Sequence, residues 1–119
     1  MQNNQRVRVW KEARKLATDV HRFADSLPQQ KSTELQRQMR QAATCLHQKL
    51  DEDSSRNDGN VSGKSIAESM DSLSELEKLY YLSSKMGYVN TVTIEPTLAR
   101  LGHVKKQVFE LRKVLVAKK

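Results

Sequence analysis

Residues 10–27, WKEARKLATDVHRFADSL, decide the fold class. Their apolar members Trp10, Ala13, Leu16, Val20, Phe23 and Leu27 recur at steps of three and four. That spacing lines one face of an α-helix, whereas a strand, with its period of two, would scatter the same residues over both faces. Pro28 follows and stops the helix. Three more stretches repeat the pattern. The second stripe is Leu35, Met39, Ala42, Leu46 and Leu50, with Thr33 and Gln36 placed to form a capping box. The third is Ile66, Met70, Leu73, Leu76 and Tyr80, opened by a capping box of Ser65 and Glu68 and closed by Gly87, which suits a left-handed stop. The fourth is Ile94, Leu98, Leu101, Val104, Val108, Leu111 and Leu115. From Leu101 its steps alternate three and four, a short heptad-like seam. Thr93 is the expected cap, with Pro96 in the first turn, where a missing N–H costs little.

Four such helices, about 7–27, 33–51, 65–87 and 94–117, with short connections between most of them, predict an all-α protein: an antiparallel up-down-up-down four-helix bundle, one domain over residues 1–119. The polar stretch DEDSSRNDGNVSG, residues 51–63, has two glycines and no periodicity and reads as a mobile loop.

Composition narrows the class. Of 119 residues, 27 are Leu, Ile, Val or Phe, which is above the level of roughly 20% below which chains tend to stay disordered. A thin but real core follows. The four glycines and two prolines are too few for a turn-rich sandwich or barrel. No run approaches the roughly 20 apolar residues that span a bilayer, and MQNNQRVRVW has no apolar signal region, so a cytoplasmic protein without a membrane role is expected. The apolar face of the first helix is needed for the core, which argues against its lying on a membrane.

Catalytic chemistry finds little support. His21, His47 and His103 fall on three helices, with no Glu-x-x-His pair and no His-Glu-x-x-His. His47 and Asp51, four apart, are spaced to pair. Cys45, the single cysteine, sits near an apolar stripe and reads as a small hydrophobe, not a nucleophile. Glu68, Asp71 and Glu75 share a helix face, and Glu-x-x-Asp is an element of helical magnesium-dependent nucleotide pyrophosphohydrolases. The Glu-Glu-x-x-Glu such enzymes also need is not supplied by Asp51-Glu52-Asp53. No GxxxxGK phosphate loop occurs. The expectation is a non-enzyme with no cofactor and no metal.

Charge is the stronger signal. Lys and Arg number 21 against 14 Asp and Glu, a net charge of +7. The surplus lies in the first, second and fourth helices, while residues 51–87 are net negative. A basic surface concentrates polyanions. Arg6, Arg8, Lys11, Arg14 and Lys15 are the richest candidates for nucleic-acid contact, followed by Arg37, Arg40, Lys105, Lys106, Arg112 and Lys113. No basic cluster interleaved with aromatics stands out, so contact is expected to be with backbone phosphates, with little base reading.

Several segments resemble the four-helix bundle proteins encoded in intervening sequences of 23S ribosomal RNA. Val9, Trp10 and Ala13 match that family's first helix. Leu35, Gln38, Arg40, Ala42 and Ala43 match the second, with Gln41 in place of an arginine. Ser72, Leu73, Glu75, Leu76 and Glu77, then Met86, Gly87 and Tyr88, match the third. The segment Lys49 to Asp53 departs from the family's Asn-Ile-Ala-Glu-Gly, keeping only an aliphatic residue and Glu52. The chain is also similar to the accessory proteins of diversity-generating retroelements, basic bundles thought to bind nucleic acid and a reverse transcriptase. The resemblance implies a homopentamer. Leu79, Tyr80, Tyr81 and Leu82 are four consecutive apolar or aromatic positions, more than one stripe can bury, so Leu79, Tyr81 and Leu82 are the expected oligomer interface.

Together these readings predict a non-enzymatic oligomer that binds or scaffolds, contacting structured RNA or another nucleic acid through its basic surface. A protein–protein adaptor is the alternative, and a magnesium-dependent nucleotide hydrolase using Glu68, Asp71 and Glu75 a more remote one.

Overall fold

The four apolar stripes become four helices. A computed structural model describes residues 2–54 and 63–117, with side chains for residues 7–49 and 66–113. The helices are α1 (Gln2–Ser26), α2 (Thr33–Ser54), α3 (Gly63–Lys85) and α4 (Thr91–Ala117), and no strand occurs among the described residues. α1 packs on α2, α2 on α3, α3 on α4, and α4 back on α1, which makes a four-cornered bundle. The diagonal pairs meet only through side chains in the middle, where the Phe23 and Tyr80 rings lie 4.6 Å apart and tilted by 37°. The body measures 48 × 23 × 18 Å.

Each stripe faces inward as its spacing requires. Trp10, Ala13, Leu16 and Val20 of α1, Met39, Ala43 and Leu46 of α2, Ile66, Leu73 and Leu76 of α3, and Leu101, Val104 and Val108 of α4 form one buried cluster. α3 carries a wider inward face than its apolar spacing suggests. Ser69, Ser72 and Ser83 are also buried. Leu79 belongs to that face, at 1% exposure and three residues beyond Leu76. It is a core residue, which corrects its expected place at an oligomer interface.

Among the described residues an ion pair ties each of the four helix–helix seams. Arg40 of α2 pairs with Asp25 of α1 at 2.5 Å, Lys49 of α2 with Glu68 of α3 at 2.8 Å, and Lys105 of α4 with Glu77 of α3 at 3.6 Å. Arg100 of α4 pairs with Asp19 of α1. Across the α1–α2 seam Gln36 reaches Leu27 and Arg40 reaches Asp25, and across the α3–α4 seam Ser84 meets Thr91 and Lys105 meets Glu77.

The helix ends differ in detail from the sequence expectation. α2 starts from Ser32, which is buried and whose carbonyl accepts the Gln36 N–H at 2.8 Å. Gln36 Nε2 donates to Ser32 Oγ at 3.0 Å and to the Leu27 carbonyl at 3.3 Å, while Thr33 donates back to Gln29. The expected Thr33–Gln36 box is therefore replaced by a Ser32–Gln36 pair that also ties down the end of α1. α4 starts at Thr91, after Asn90, whose carbonyl accepts from the Thr93 N–H. Thr93 is thus inside the helix and Pro96 sits in its second turn, where the carbonyl of Val92 loses its usual partner. α2 runs on through Asp51, Glu52 and Asp53, because polar residues alone do not stop a helix. Of the expected loop 51–63, residues 55–62 lie outside the described residues, as does the Ser65 side chain.

Gly87 ends α3 as expected. Its φ is +77°, the Tyr88 N–H reaches the Ser83 carbonyl and the Gly87 N–H reaches that of Ser84, both at 3.0 Å. These two bonds make a Schellman stop, which requires the left-handed conformation. The Tyr88 hydroxyl then donates to the Lys31 carbonyl at 2.7 Å, joining the α3–α4 turn to the α1–α2 turn. A Cβ at Gly87 would meet no atom within 4 Å, so the cost of Gly87→Ala is backbone strain alone. It should lower unfolding free energy by about 1–2 kcal/mol in urea melts, with the helical circular-dichroism signal unchanged.

Candidate nucleic-acid interface

The outward face of α1 is a stripe of cations. Arg8, Lys11, Lys15 and Arg22, with Thr18 among them, follow at steps of three and four, and all are exposed. From Arg8 to Arg22 this stripe holds no carboxylate. Glu12, half-buried, and Asp19 lie on one flank and Asp25 on the other; Arg100 engages Asp19 and Arg40 engages Asp25. The Arg6 side chain lies outside the described residues, and Arg14 is half-buried.

A second basic group lies on α4. Lys106, Arg112 and Lys113 are exposed, and Lys105 is half-buried in its tie to Glu77. Among them stands Phe109, 43% exposed, with Lys113 Nζ 4.9 Å from the ring centroid. Counted from the Arg100–Asp19 tie, Arg8 precedes by eleven residues in α1 and Arg112 follows by twelve in α4, each about 17 Å along its helix. Both basic groups therefore reach the end of the bundle opposite the Tyr88–Lys31 contact.

Two candidates fall elsewhere. Arg37 is committed to Glu34 at 2.5 Å within α2, and Arg40 to Asp25. Hydrogen bonds from Arg37 and Gln38 hold the Glu34 carboxyl down at about 2, the Arg37 hydrogen bond contributing most. Sequence reasoning missed Arg22 and Phe109. Arg22 was legible as the continuation of the 8–11–15–18 spacing. Phe109 was hidden beside the α4 seam, one position past Val108.

The residues of the catalytic alternatives fall as follows among the described residues. Glu68 is tied to Lys49. Asp71 and Glu75 line an open cleft of about 370 Å³ between α2 and α3, beside Gln38, Gln41, Ala42, Cys45 and Ser72. His47 and His103 are exposed and His21 half-exposed; the Asp51 side chain, the expected partner of His47, lies outside the described residues. Among the described residues no three His, Cys, Asp or Glu side chains come together as a metal site. Tyr81 and Leu82 are exposed at 57% and 38%. Met86 lies four residues past Leu82 and lines an open cleft of about 490 Å³ between the two turns, with Pro28, Lys31 and Tyr88. Among the described residues no helix is long and apolar enough to cross a membrane.

The 23S rRNA-intervening sequence protein family model matches residues 5–110. The chain belongs to that family. The match runs across all four helices, from the basic N-terminal turns of α1 to the Phe109 region of α4. No curated protein and no solved structure matches the chain.

Inside the bundle, the Tyr80 hydroxyl is buried without a hydrogen-bond partner, as are Trp10 Nε1, Ser69 Oγ and Gln107 Oε1. Burial pushes the Tyr80 phenol above its ordinary range; Asp19 adds to the rise and Arg100 opposes it. A folded phenol that stays protonated while the unfolded one ionises makes stability fall as pH rises above about 10. Tyr80→Phe should leave stability at pH 7 equal or higher by up to about 1 kcal/mol, and narrow the gap between urea midpoints at pH 7 and pH 11. For Glu34 the sign is opposite. Its pairing is fully present above its ordinary value of 4.5 and is lost as pH falls through about 2. Its carboxyl carbon resonance should titrate near 2 in the parent and return toward the ordinary range in Arg37→Ala.

Proposed function

We propose that this chain is a non-enzymatic bundle that works as an oligomer in the cytoplasm and binds structured RNA. The carboxylate-free stripe Arg8–Lys11–Lys15–Arg22 on the outside of α1 carries the reading. Two of its acidic neighbours, Asp19 and Asp25, are engaged at the seams and Glu12 is half-buried beside it, so the stripe faces solvent with a surplus of positive charge. The net charge of +7 supports it further, by drawing polyanions from a distance. Contact would be with phosphates, since lysine and arginine on one helix face read backbone charge and not base edges. The pentamer implied by the family resemblance is part of the proposal; Tyr81 and Leu82, exposed on α3, are its interface candidates.

Gel shifts with a structured RNA between about 50 and 200 mM salt test this. Binding should weaken steeply with salt, because each neutralised phosphate releases counterions. The triple variant Lys11→Ala, Lys15→Ala, Arg22→Ala should flatten the log–log salt slope by roughly one unit per cation removed. Absence of binding at low salt would eliminate RNA and leave the protein–protein adaptor. Sedimentation should give a mass near five subunits, and a monomer would remove the oligomer from the proposal.

A further inference from the structure

The fold leaves the exposure of Phe109 unexplained. The chain has only two phenylalanines; Phe23 is partly buried and packed on Tyr80 against the core, while Phe109 projects from α4 with 43% of its surface in solvent. It lies one residue past Val108 and is turned about 100° from the Leu101–Val104–Val108–Leu111 seam. On a helix the side chains that surround a residue are those three and four positions away. For Phe109 these are Lys105, Lys106, Arg112 and Lys113, and all four are cationic. Tyr81, the other large exposed aromatic, lacks this setting: its corresponding neighbours are Glu77, Lys78, Ser84 and Lys85.

An exposed ring flanked by three exposed cations, Lys106, Arg112 and Lys113, beside the Glu77-paired Lys105, is a poor surface for an apolar protein partner, which would have to desolvate the charges. It suits a flat, weakly polar ring that comes attached to anions. We infer that Phe109 is a stacking platform for an unpaired nucleobase, with Lys106, Arg112 and Lys113 holding the phosphates on either side of it. The inference rests on the RNA reading above and deepens it, because it makes loops or bulges, not continuous duplex, the preferred ligand. Lys113 already lies over the ring, 4.9 Å from its centroid. A base arriving on that face displaces the ammonium, which swings to an adjacent phosphate and exchanges a contact with the ring for a charge-assisted one. A base buried in paired stacks offers no free face, so a fully paired helix gains only the phosphate contacts.

The test compares a hairpin RNA carrying an eight-nucleotide loop with a fully paired duplex of equal nucleotide count, both titrated against the full-length parent, Phe109→Leu and Phe109→Trp. Thermal melts and sedimentation of each variant report folding and assembly. Loss of roughly 5- to 150-fold in hairpin affinity for Phe109→Leu, with duplex affinity changed less than about twofold and hairpin binding restored in Phe109→Trp, supports the platform. Equal losses on both RNAs, or no loss on the hairpin, overturn it while leaving phosphate binding in place. A variant that binds the hairpin like the parent but changes its sedimentation mass also overturns it, assigning the ring to contact between copies. A parent that binds neither RNA removes the RNA reading itself.

Discussion

The structure depends on how narrow the buried face of each helix is. A helix that buries a single stripe must place its polar residues on two flanks and a back. The flanks are where neighbouring helices meet, and among the described residues each seam holds an acid–base tie: Asp25–Arg40, Glu68–Lys49, Glu77–Lys105 and Asp19–Arg100. Exposed pairs of this kind add little to stability, on the order of 0–1 kcal/mol each. Their larger effect is on where charge ends up. Four acids are held at the seams, and a chain with seven more cations than anions shows surplus cations on the backs of α1 and α4. The basic stripe of α1 and the ring of cations around Phe109 follow from that partition.

The inward stripes were legible because a spacing of three and four admits one structure. Trp10, Leu16, Leu46, Leu73 and Val104 lie in the core where their periodicity puts them. The left-handed stop at Gly87 was legible for a similar reason, since glycine after a helix tolerates a conformation that other residues resist. The caps were not. Whether Ser32 or Thr33 opens α2, and whether Asn90 or Thr93 precedes α4, turns on one residue of register, and each of these residue types is a competent cap. Leu79 shows a different limit: a run of four apolar residues cannot say which of them turn inward, because that depends on how wide a face the neighbours cover.

The candidate site was legible in part. Arg8, Lys11 and Lys15 emerge as one surface, since helix geometry alone aligns them. Arg37 and Arg40 do not join it: Glu34, three residues away on the same helix, engages Arg37, and Asp25, brought close by the fold, engages Arg40. The first pairing follows from helix spacing; only the second is beyond counting charge along the chain. Phe109 escaped notice for the opposite reason: next to a seam of valines and leucines it looks like one more core residue, and only the angle between positions 108 and 109 places it outside.

The hydrogen bond from the Tyr88 hydroxyl to the Lys31 carbonyl spans 57 positions of sequence and joins two connections that are otherwise independent. An insertion between Pro28 and Ser32 would carry that carbonyl out of reach, and a deletion near Gly87 would withdraw the phenol. The two hairpin bends of this bundle are therefore coupled in length. A descendant of this chain can vary its surface freely, but it can lengthen one bend only by giving up the clasp or by reshaping the other to match.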